Sequence, residues 1–226
     1  MTFIQHALKV APLLLEGLKL SVVVTLVSAV LGIILGLFIG LGRLSKNKGL
    51  RFLASTYVNF LRGTPLLVQL LIIYAGIPQI LQLITGSPSP MSPIVAAIAA
   101  CSLNSAAYVA EIFRGGIQSI DPGQMEAARS LGLSKRQAMR TVILPQAFMR
   151  IIPPLGNELI TLLKETSILS AIGLEEMMRK GQLYVASTFQ PFPVYLTVAL
   201  IYFILVIGIS KGLTLLERRL RINAES

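Results

Sequence analysis

Residues 126–145 read EAARSLGLSKRQAMRTVILP, and this stretch constrains the fold of the chain more than any other. Residues 126–131 are mostly good helix formers, and Gly132 follows them at a position where a helix C-cap favours positive φ. The stretch therefore predicts a short amphipathic helix followed by a turn. On a membrane face, such a helix would present Glu126 and Arg129 to a cytosolic partner.

Long apolar runs lie on both sides of this stretch. Hydrophobic residues make up 54% of the 226-residue chain and charged residues only 13%, with a mean hydropathy of +0.75. Ordinary soluble domains carry about 25% charged residues, and a helix needs roughly 20 apolar residues to cross a bilayer. The composition predicts an all-α polytopic membrane protein in which residues 1–226 form one membrane domain.

Five transmembrane helices are expected from the apolar runs. They are predicted at residues 20–42, 52–83, 92–113, 151–172 and 194–210. The second and third are separated by a Pro-, Ser- and Gly-rich turn at residues 85–93. The fourth is the least regular, because it carries Glu158, Lys164 and Glu165. In the first, Gly32, Gly36 and Gly40 form a flat face that predicts close helix packing.

The net charge of +10 is explained by membrane topology. Basic residues are concentrated in segments 43–51, 114–150 and 211–221, each beside an apolar run. Cytoplasmic loops carry such an excess of Lys and Arg. We therefore predict a cytoplasmic loop at about 114–150, an N-terminus outside and a C-terminus inside. No cleaved signal peptide is expected, and the single Cys101 is expected to serve packing.

The spacing of residues 126–145 resembles the EAA motif of binding-protein-dependent ABC importer permeases. Glu-Ala-Ala is followed after three residues by Gly132, and nine further residues lead to the Val-Ile-Leu-Pro ending. Three other segments are similar to the polar amino acid uptake branch of that family: FLRGTPLLVQ at 60–69, AEIFRGGI at 110–117 and LLKETS at 162–167. The resemblance covers most of the chain after residue 50.

This resemblance implies a type I ABC importer transmembrane domain in the cytoplasmic membrane of a prokaryote. Its coupling helix would dock on a cytosolic ABC ATPase dimer. The ATPase-coupling residues would be Glu126, Ala127, Ala128, Arg129, Gly132 and Leu133. The chain would be a transport subunit and no enzyme, with no cofactor of its own, because ATP and Mg would be bound by the partner ATPase.

Other partners follow from the same resemblance. An extracytoplasmic amino-acid-binding protein would deliver the solute, and a second permease subunit, either an identical or a similar chain, would complete the pathway within the membrane lipid. Alternating access would move a polar amino acid inward. No nucleic acid partner is expected.

Polar residues in the third and fourth predicted helices indicate where a solute could bind, since ionisable groups at membrane depth usually mark a path or a pairing. Glu158 and Glu165 share one helix face beside a polar edge, and a second polar face runs along the third helix. The predicted substrate-binding residues are Asn104, Ser105, Tyr108, Asn157, Glu158 and Thr161. A carboxylate near mid-membrane favours a cationic amino acid.

Two structural alternatives stay open at this point. Lys164 can pair with Glu158 or Glu165, in which case the polar residues only join helices. For Glu111, near the inner end of the third helix, pairing with Arg62 or Arg114 is favoured over contact with solute.

Two other function classes are disfavoured. An intramembrane enzyme would need acid–base or metal chemistry, but His6 is the only histidine and is predicted to lie outside the membrane. The sequence contains neither a zinc-binding His-Glu-x-x-His motif nor a phosphate-binding Gly-rich loop. No metal site is therefore expected. A self-sufficient channel or ion-coupled transporter commonly shows a repeated architecture. No internal repeat is evident here.

Overall fold

The computed structural model describes residues 3–225, and the side chains of residues 3–218. Over that range the chain forms α-helices joined by turns, with no β-strand. The predicted all-α class is confirmed. Basic residues Arg219 and Arg221, which contribute to the predicted C-terminal cluster, lie beyond the described side chains.

Ten α-helices follow one another along the described chain, and some are continued by short π-helical or 3-10 segments. They are α1 Phe3–Arg43, α2 Lys48–Arg62, α3 Leu66–Leu71, α4 Ile77–Thr85, α5 Pro93–Gln118, α6 Pro122–Ser130, α7 Lys135–Ala138, α8 Leu144–Glu165, α9 Met177–Thr188 and α10 Pro191–Glu225.

Helix α1 begins 17 residues before the start predicted for it. The prediction of a first helix at 20–42 was wrong at its N-terminal end, because the earlier turns acquire buried partners from distant sequence. Val10 and Leu14 are buried against Met177 and Val194. The apolar packing of α1 against α9 and α10 stabilises turns whose sequence, interrupted by charged residues, does not look like a membrane span.

The three glycines of α1 form a close helix contact, as predicted, and the structure shows that the partner is α5. A Cβ atom on Gly32 would lie 2.9 Å from the Cβ of Ser105, and one on Gly36 would lie 2.7 Å from the Cβ of Val109. These distances are shorter than non-bonded carbon contacts allow, so the two helices approach each other only because these positions lack side chains. The α1–α5 pair is the central contact of the fold.

The predicted second helix, 52–83, is broken in the structure. Helix α2 ends at Arg62, and Pro65 adopts extended backbone before α3 begins. The Gln69 side chain holds this break, since its Nε2 donates to the carbonyl oxygens of Leu61 and Thr64 at 2.8 and 3.0 Å. A π-helical segment, Ile72–Gly76, then joins α3 to α4.

The remaining predicted helices agree with the structure to within a few turns. Helix α5 covers the third crossing and α10 covers the fifth. The fourth is α8, which starts seven residues earlier than predicted and changes to a 3-10 helix at Thr166–Ile172. Among the described residues, four helical segments are long and apolar enough to span a membrane: α1, Leu66–Thr85, α5 and α10 up to Arg218. Helix α8 is not one of them because charged residues interrupt it, so the predicted count of five transmembrane helices is not confirmed. Cys101 is fully buried in the main core, as expected.

Candidate functional site

Helices α5 and α8 meet at Ser105 and Glu158, two of the six predicted substrate residues. The Ser105 hydroxyl donates a 2.8 Å hydrogen bond to the carboxylate of Glu158. Both side chains line a cavity of about 220 Å³ between α1, α5, α8 and α10. Its other walls are apolar apart from the backbone, with Ile33, Val109 and Leu159 among them. The cavity therefore offers one carboxylate within an aliphatic enclosure.

The structure separates the other four predicted residues from this cavity. Asn104 is buried and donates to the Oε1 of Gln69 at 3.0 Å, which ties α5 to the break between α2 and α3. Tyr108 lies under Arg62, whose guanidinium carbon is 5.3 Å from the ring centroid. Asn157 and Thr161 occupy a different face of α8.

That face of α8 is polar and exposed. Asn157, Thr161 and Lys164 follow one another at spacings of four and three residues, and each is exposed in the single chain. Lys164 forms no ion pair with Glu158 or Glu165 among the described side chains. Because such a row is costly to place against lipid, we expect it to face a water-filled path or a second subunit.

A charged cluster joins α1, α2 and α5 near their C-terminal ends. Glu111 forms ion pairs with Arg43 and Arg114, and its carboxylate is also 3.9 Å from the Nη1 of Arg62. The expected pairing of Glu111 with Arg62 and Arg114 is confirmed, and Arg43 is an additional partner. One carboxylate thus bridges three guanidinium groups on three helices.

Helix α6 carries the predicted coupling residues. Asp121 caps its N-terminus by accepting a hydrogen bond from the Gly123 backbone at 2.7 Å. At its C-terminus Gly132 adopts a φ of 88°, and the Leu133 amide donates to the carbonyl of Ala128 at 3.2 Å. The predicted helix and its glycine cap are confirmed.

The predicted coupling residues do not all lie at the surface. Glu126, Ala127, Arg129 and Gly132 are exposed, whereas Leu133 is half-buried. Ala128 is buried on the inner face of α6 and serves the attachment of this helix to the rest of the chain.

Leu131 is a surface residue that the sequence reasoning did not single out. It is 84% exposed at the end of α6, although leucine usually avoids water. The signal for it was available, because a leucine that directly precedes a glycine cap lies at the tip of the turn. An exposed apolar side chain beside Glu126 and Arg129 suits a protein contact.

Charged contacts hold the first turns of α9 against α1. Lys180 pairs with Glu175 at 2.8 Å and lies 3.9 Å from a carboxylate oxygen of Glu16 on α1. The hydrogen bond to Lys180 lowers the pKa of the Glu175 carboxyl, and the charge of Lys180 adds to this effect. These contacts tie α9 to the N-terminal half of α1.

Glu176, next to this pair, is buried and caps α9. Its carboxylate accepts hydrogen bonds from the backbone amides of Met178 and Arg179 at 2.8 and 2.7 Å, and from the Ser21 hydroxyl at 3.4 Å. A Cβ atom on Gly17 would lie 2.8 Å from the carbonyl carbon of Glu176, so the two backbones are in contact. The sequence offers no local signal that distinguishes Glu176 from its exposed neighbour Glu175.

Among the described residues, no group of three or more His, Cys, Asp or Glu side chains could hold a metal ion. The arrangement provides a small cavity with one carboxylate, an exposed polar row on α8 and an exposed helix on the loop between α5 and α8. These features can bind a small cationic or zwitterionic solute and a protein partner at separate places.

Comparison with known proteins agrees with this arrangement. The family model described as "Binding-protein-dependent transport system inner membrane component" matches residues 3–222. The arginine transport system permease protein ArtQ of Bacillus subtilis (strain 168) is 41% identical, with 94% of each chain covered. The L-cystine transport system permease protein TcyL of the same organism is 38% identical, with coverage of 94% of this chain and 89% of TcyL.

A solved structure extends the likeness to three dimensions. A chain of a crystal structure of an amino acid ABC transporter with histidines superimposes with a TM-score of 0.88 at 43% identity, covering 97% of this chain and 99% of that chain. The likeness spans nearly the whole of both chains. The chain therefore belongs to the family of binding-protein-dependent transport system inner membrane components, and it is a membrane-spanning ABC importer permease.

Proposed function

We propose that this permease moves a polar amino acid into the cell, with a basic amino acid as the favoured substrate, by alternating access driven by a separate ATPase. The observation that carries the substrate proposal is the carboxylate of Glu158 in a cavity with apolar walls. An aliphatic stem with a cationic head fits both parts of that cavity. The likeness to a permease named for arginine transport supports the same class.

The Glu158–Ser105 contact supplies a reason for selectivity. An ionised carboxylate is costly at membrane depth, and the single hydroxyl of Ser105 offsets only part of that cost. A guanidinium or ammonium group would neutralise the carboxylate and add charge-assisted hydrogen bonds. In the proposed route, Asn157 and Thr161 on the exposed face of α8 line the path outside the cavity. Asn104 and Tyr108 lie on α5 and hold that helix in position through Gln69 and Arg62.

Coupling to ATP hydrolysis is assigned to α6. Exposed Glu126, Arg129 and Leu131 would enter a cleft of an ABC ATPase, and the buried Ala128 would transmit the displacement to the rest of the chain. ATP and Mg would be bound by that ATPase. The excess of basic residues in segment 114–150 supports an inner location of α6, with the N-terminus outside and the C-terminus in the cytoplasm.

Two further partners complete the proposal. A second permease subunit, identical or similar, would cover the exposed polar row of α8, since that row cannot face lipid at low cost. An extracytoplasmic amino-acid-binding protein would deliver the solute to the outer surface.

The substrate proposal is tested by equilibrium binding of radiolabelled arginine, lysine, histidine, cystine and glutamine to the purified importer in nanodiscs. We expect the basic amino acids to bind most tightly, and Glu158→Gln to weaken their binding by roughly 10-fold or more, because a charge-assisted bond contributes about 1.5–3 kcal/mol. Glu165→Gln is the matched control, since it makes the same change on α8 but does not line the cavity.

Unchanged binding of basic amino acids to Glu158→Gln would overturn the assignment of Glu158. Preferential binding of cystine or glutamine, unaffected by either variant, would contradict a basic substrate. It would not contradict the role as an amino acid importer.

A further inference from the structure

One face of α10 changes from apolar to basic along its length. Leu200, Ile204, Ile207, Lys211, Leu215 and Arg218 follow one another at spacings of three and four residues, which places them on a single helix face. All six side chains are exposed in the single chain. The apolar half ends at Ile207, and Lys211 is the first charged residue that follows it.

This face points away from the rest of the helices. Leu213, two residues from Lys211 and from Leu215, lies on the opposite side of α10, because two residues correspond to about 200° of helix rotation. Leu213 packs against α8, where a Cβ atom on Gly156 would lie 2.6 Å from its Cδ1. The contact with α8 therefore fixes the rotation of α10 and turns Lys211 and Arg218 outward.

The basic half of this face forms a groove. This shallow surface depression of about 350 Å³ is lined by Ser210, Lys211, Thr214, Leu215 and Arg218, all on α10. The Thr214 hydroxyl donates to the carbonyl of Ser210 at 3.0 Å. Among the described side chains, neither Lys211 nor Arg218 pairs with a carboxylate. Two cations thus flank a groove whose described lining includes no carboxylate.

We propose that this groove binds the headgroup of an anionic phospholipid, whose acyl chains lie along Leu200, Ile204 and Ile207. Charge complementarity supports this ligand, because a phosphodiester carries a negative charge that can pair with the two cations. Their positions support it as well, since Lys211 and Arg218 are seven residues, or about 10 Å, apart along the axis. Because both side chains are long and flexible, they can reach one headgroup that lies between them. Basic clusters that directly follow a membrane helix attract anionic lipid.

The proposal does not depend on the substrate or on the coupling helix, and it holds for either orientation of the chain, because the groove adjoins the apolar part of α10 in both. It gives Lys211 and Arg218 a role beyond setting topology. Bound lipid would fix the depth of α10, and through Leu213 it would also hold the position of α8, which carries Glu158.

The test is native mass spectrometry of the purified permease in detergent, titrated with phosphatidylglycerol and separately with phosphatidylcholine. We expect a tight phosphatidylglycerol adduct on the unaltered protein and none of comparable affinity with phosphatidylcholine. The double variant Lys211→Gln/Arg218→Gln should weaken the adduct by roughly 25-fold, at about 5-fold for each cation near a membrane surface. The matched control is Lys135→Gln/Arg136→Gln, which removes the same charge from exposed positions on α7, outside the groove.

Several results would overturn the proposal. Equal weakening in both double variants would show that only net charge matters, and equal binding of the two lipids would exclude headgroup recognition. Displacement of the lipid by millimolar glycerol phosphate would indicate a site for soluble anions. Unchanged lipid binding together with loss of the ATPase from Lys211→Gln/Arg218→Gln would assign the groove to a protein partner.

Discussion

Glycines on α1 and a buried glutamate before α9 show how single residues determine which helices can approach one another. Gly36 lies against Val109, and Gly17 lies against the backbone of Glu176. Neither site tolerates a side chain without movement of a neighbouring helix. Their effects on stability should therefore be larger than those of glycines that face open space.

Gly36→Ala tests this at the α1–α5 contact. The added Cβ would lie 2.7 Å from two atoms of Val109 and 2.8 Å from the carbonyl oxygen of Ala106. We expect the free energy of unfolding to fall by about 1–3 kcal/mol because of overpacking, measured as a lower thermal midpoint in detergent. Gly208→Ala is the control, since nothing lies within 4 Å of its added Cβ. An unchanged midpoint for Gly36→Ala would contradict the close packing.

Glu176 should make stability depend on pH. Burial raises the pKa of this carboxyl to about 7 from the usual 4.5, against the hydrogen bonds from Met178, Arg179 and Ser21; α9 is not one of the membrane-spanning helices. Between pH 4.5 and 7 the folded protein retains a proton that the unfolded chain releases. The free energy of unfolding therefore falls as pH rises through this window, by at most about 3 kcal/mol.

The measurement compares thermal midpoints at pH 5 and pH 8 for the unaltered protein and for Glu176→Gln. Because glutamine does not ionise, the variant should show a smaller decrease in midpoint between the two pH values. An equal decrease in both proteins would assign the pH dependence to other groups.

At the scale of elements, the Gln69 side chain determines how α2, α3 and α5 are joined. It accepts from Asn104 on α5 and donates to the carbonyl oxygens of Leu61, in the last turn of α2, and of Thr64, in the link before α3. Asn104 was predicted to bind solute, but its amide nitrogen is occupied by Gln69 in this structure. A contact of this kind depends on two residues 35 positions apart, so neither local propensity nor helix periodicity predicts it.

Gln69→Leu should lower the free energy of unfolding by roughly 1–3 kcal/mol, because Asn104 and the carbonyl oxygens of Leu61 and Thr64 lose a buried partner. Asn104→Leu should have a smaller effect, since it leaves only one Gln69 oxygen without its donor. In the double variant the lost Gln69–Asn104 bond is counted once, so the combined loss should be less than the sum of the single losses. Additive losses, measured from thermal or denaturant unfolding, would show that the two side chains do not interact.

Helix α6 shows the opposite case, in which local sequence was sufficient. Good helix formers, a glycine cap and a fixed spacing to the Leu144-Pro145 ending predicted both the helix and the positive φ of Gly132. The N-terminal extension of α1 was missed because Val10 and Leu14 are buried by residues near position 177 and beyond. Within the candidate site, the Ser105–Glu158 meeting followed from two polar helix faces, whereas the separation of Asn157 and Thr161 from the cavity depended on the rotation of α8.

For the whole molecule, the central claim is that the chain transmits ATP-driven motion through α6 to helices that enclose a solute. Gly86 and Gly132 provide a matched pair for testing it. Both have positive φ, at 70° and 88°, and nothing lies within 4 Å of an added Cβ on either. Gly86 follows Ile77–Thr85 and precedes α5, whereas Gly132 follows α6 beyond the other end of α5, so only Gly132 lies next to α6.

The most direct test is co-purification of the permease with candidate ABC ATPase subunits, comparing the unaltered chain with Gly132→Asp and Gly86→Asp. We predict that the unaltered chain and Gly86→Asp retain the ATPase. Gly132→Asp should lose it, because the substitution strains the cap and adds a charge beside Leu131. The thermal midpoint of Gly132→Asp should stay close to that of Gly86→Asp. Failure of the unaltered chain to retain any ATPase, or retention by Gly132→Asp equal to that by Gly86→Asp, would contradict coupling through α6.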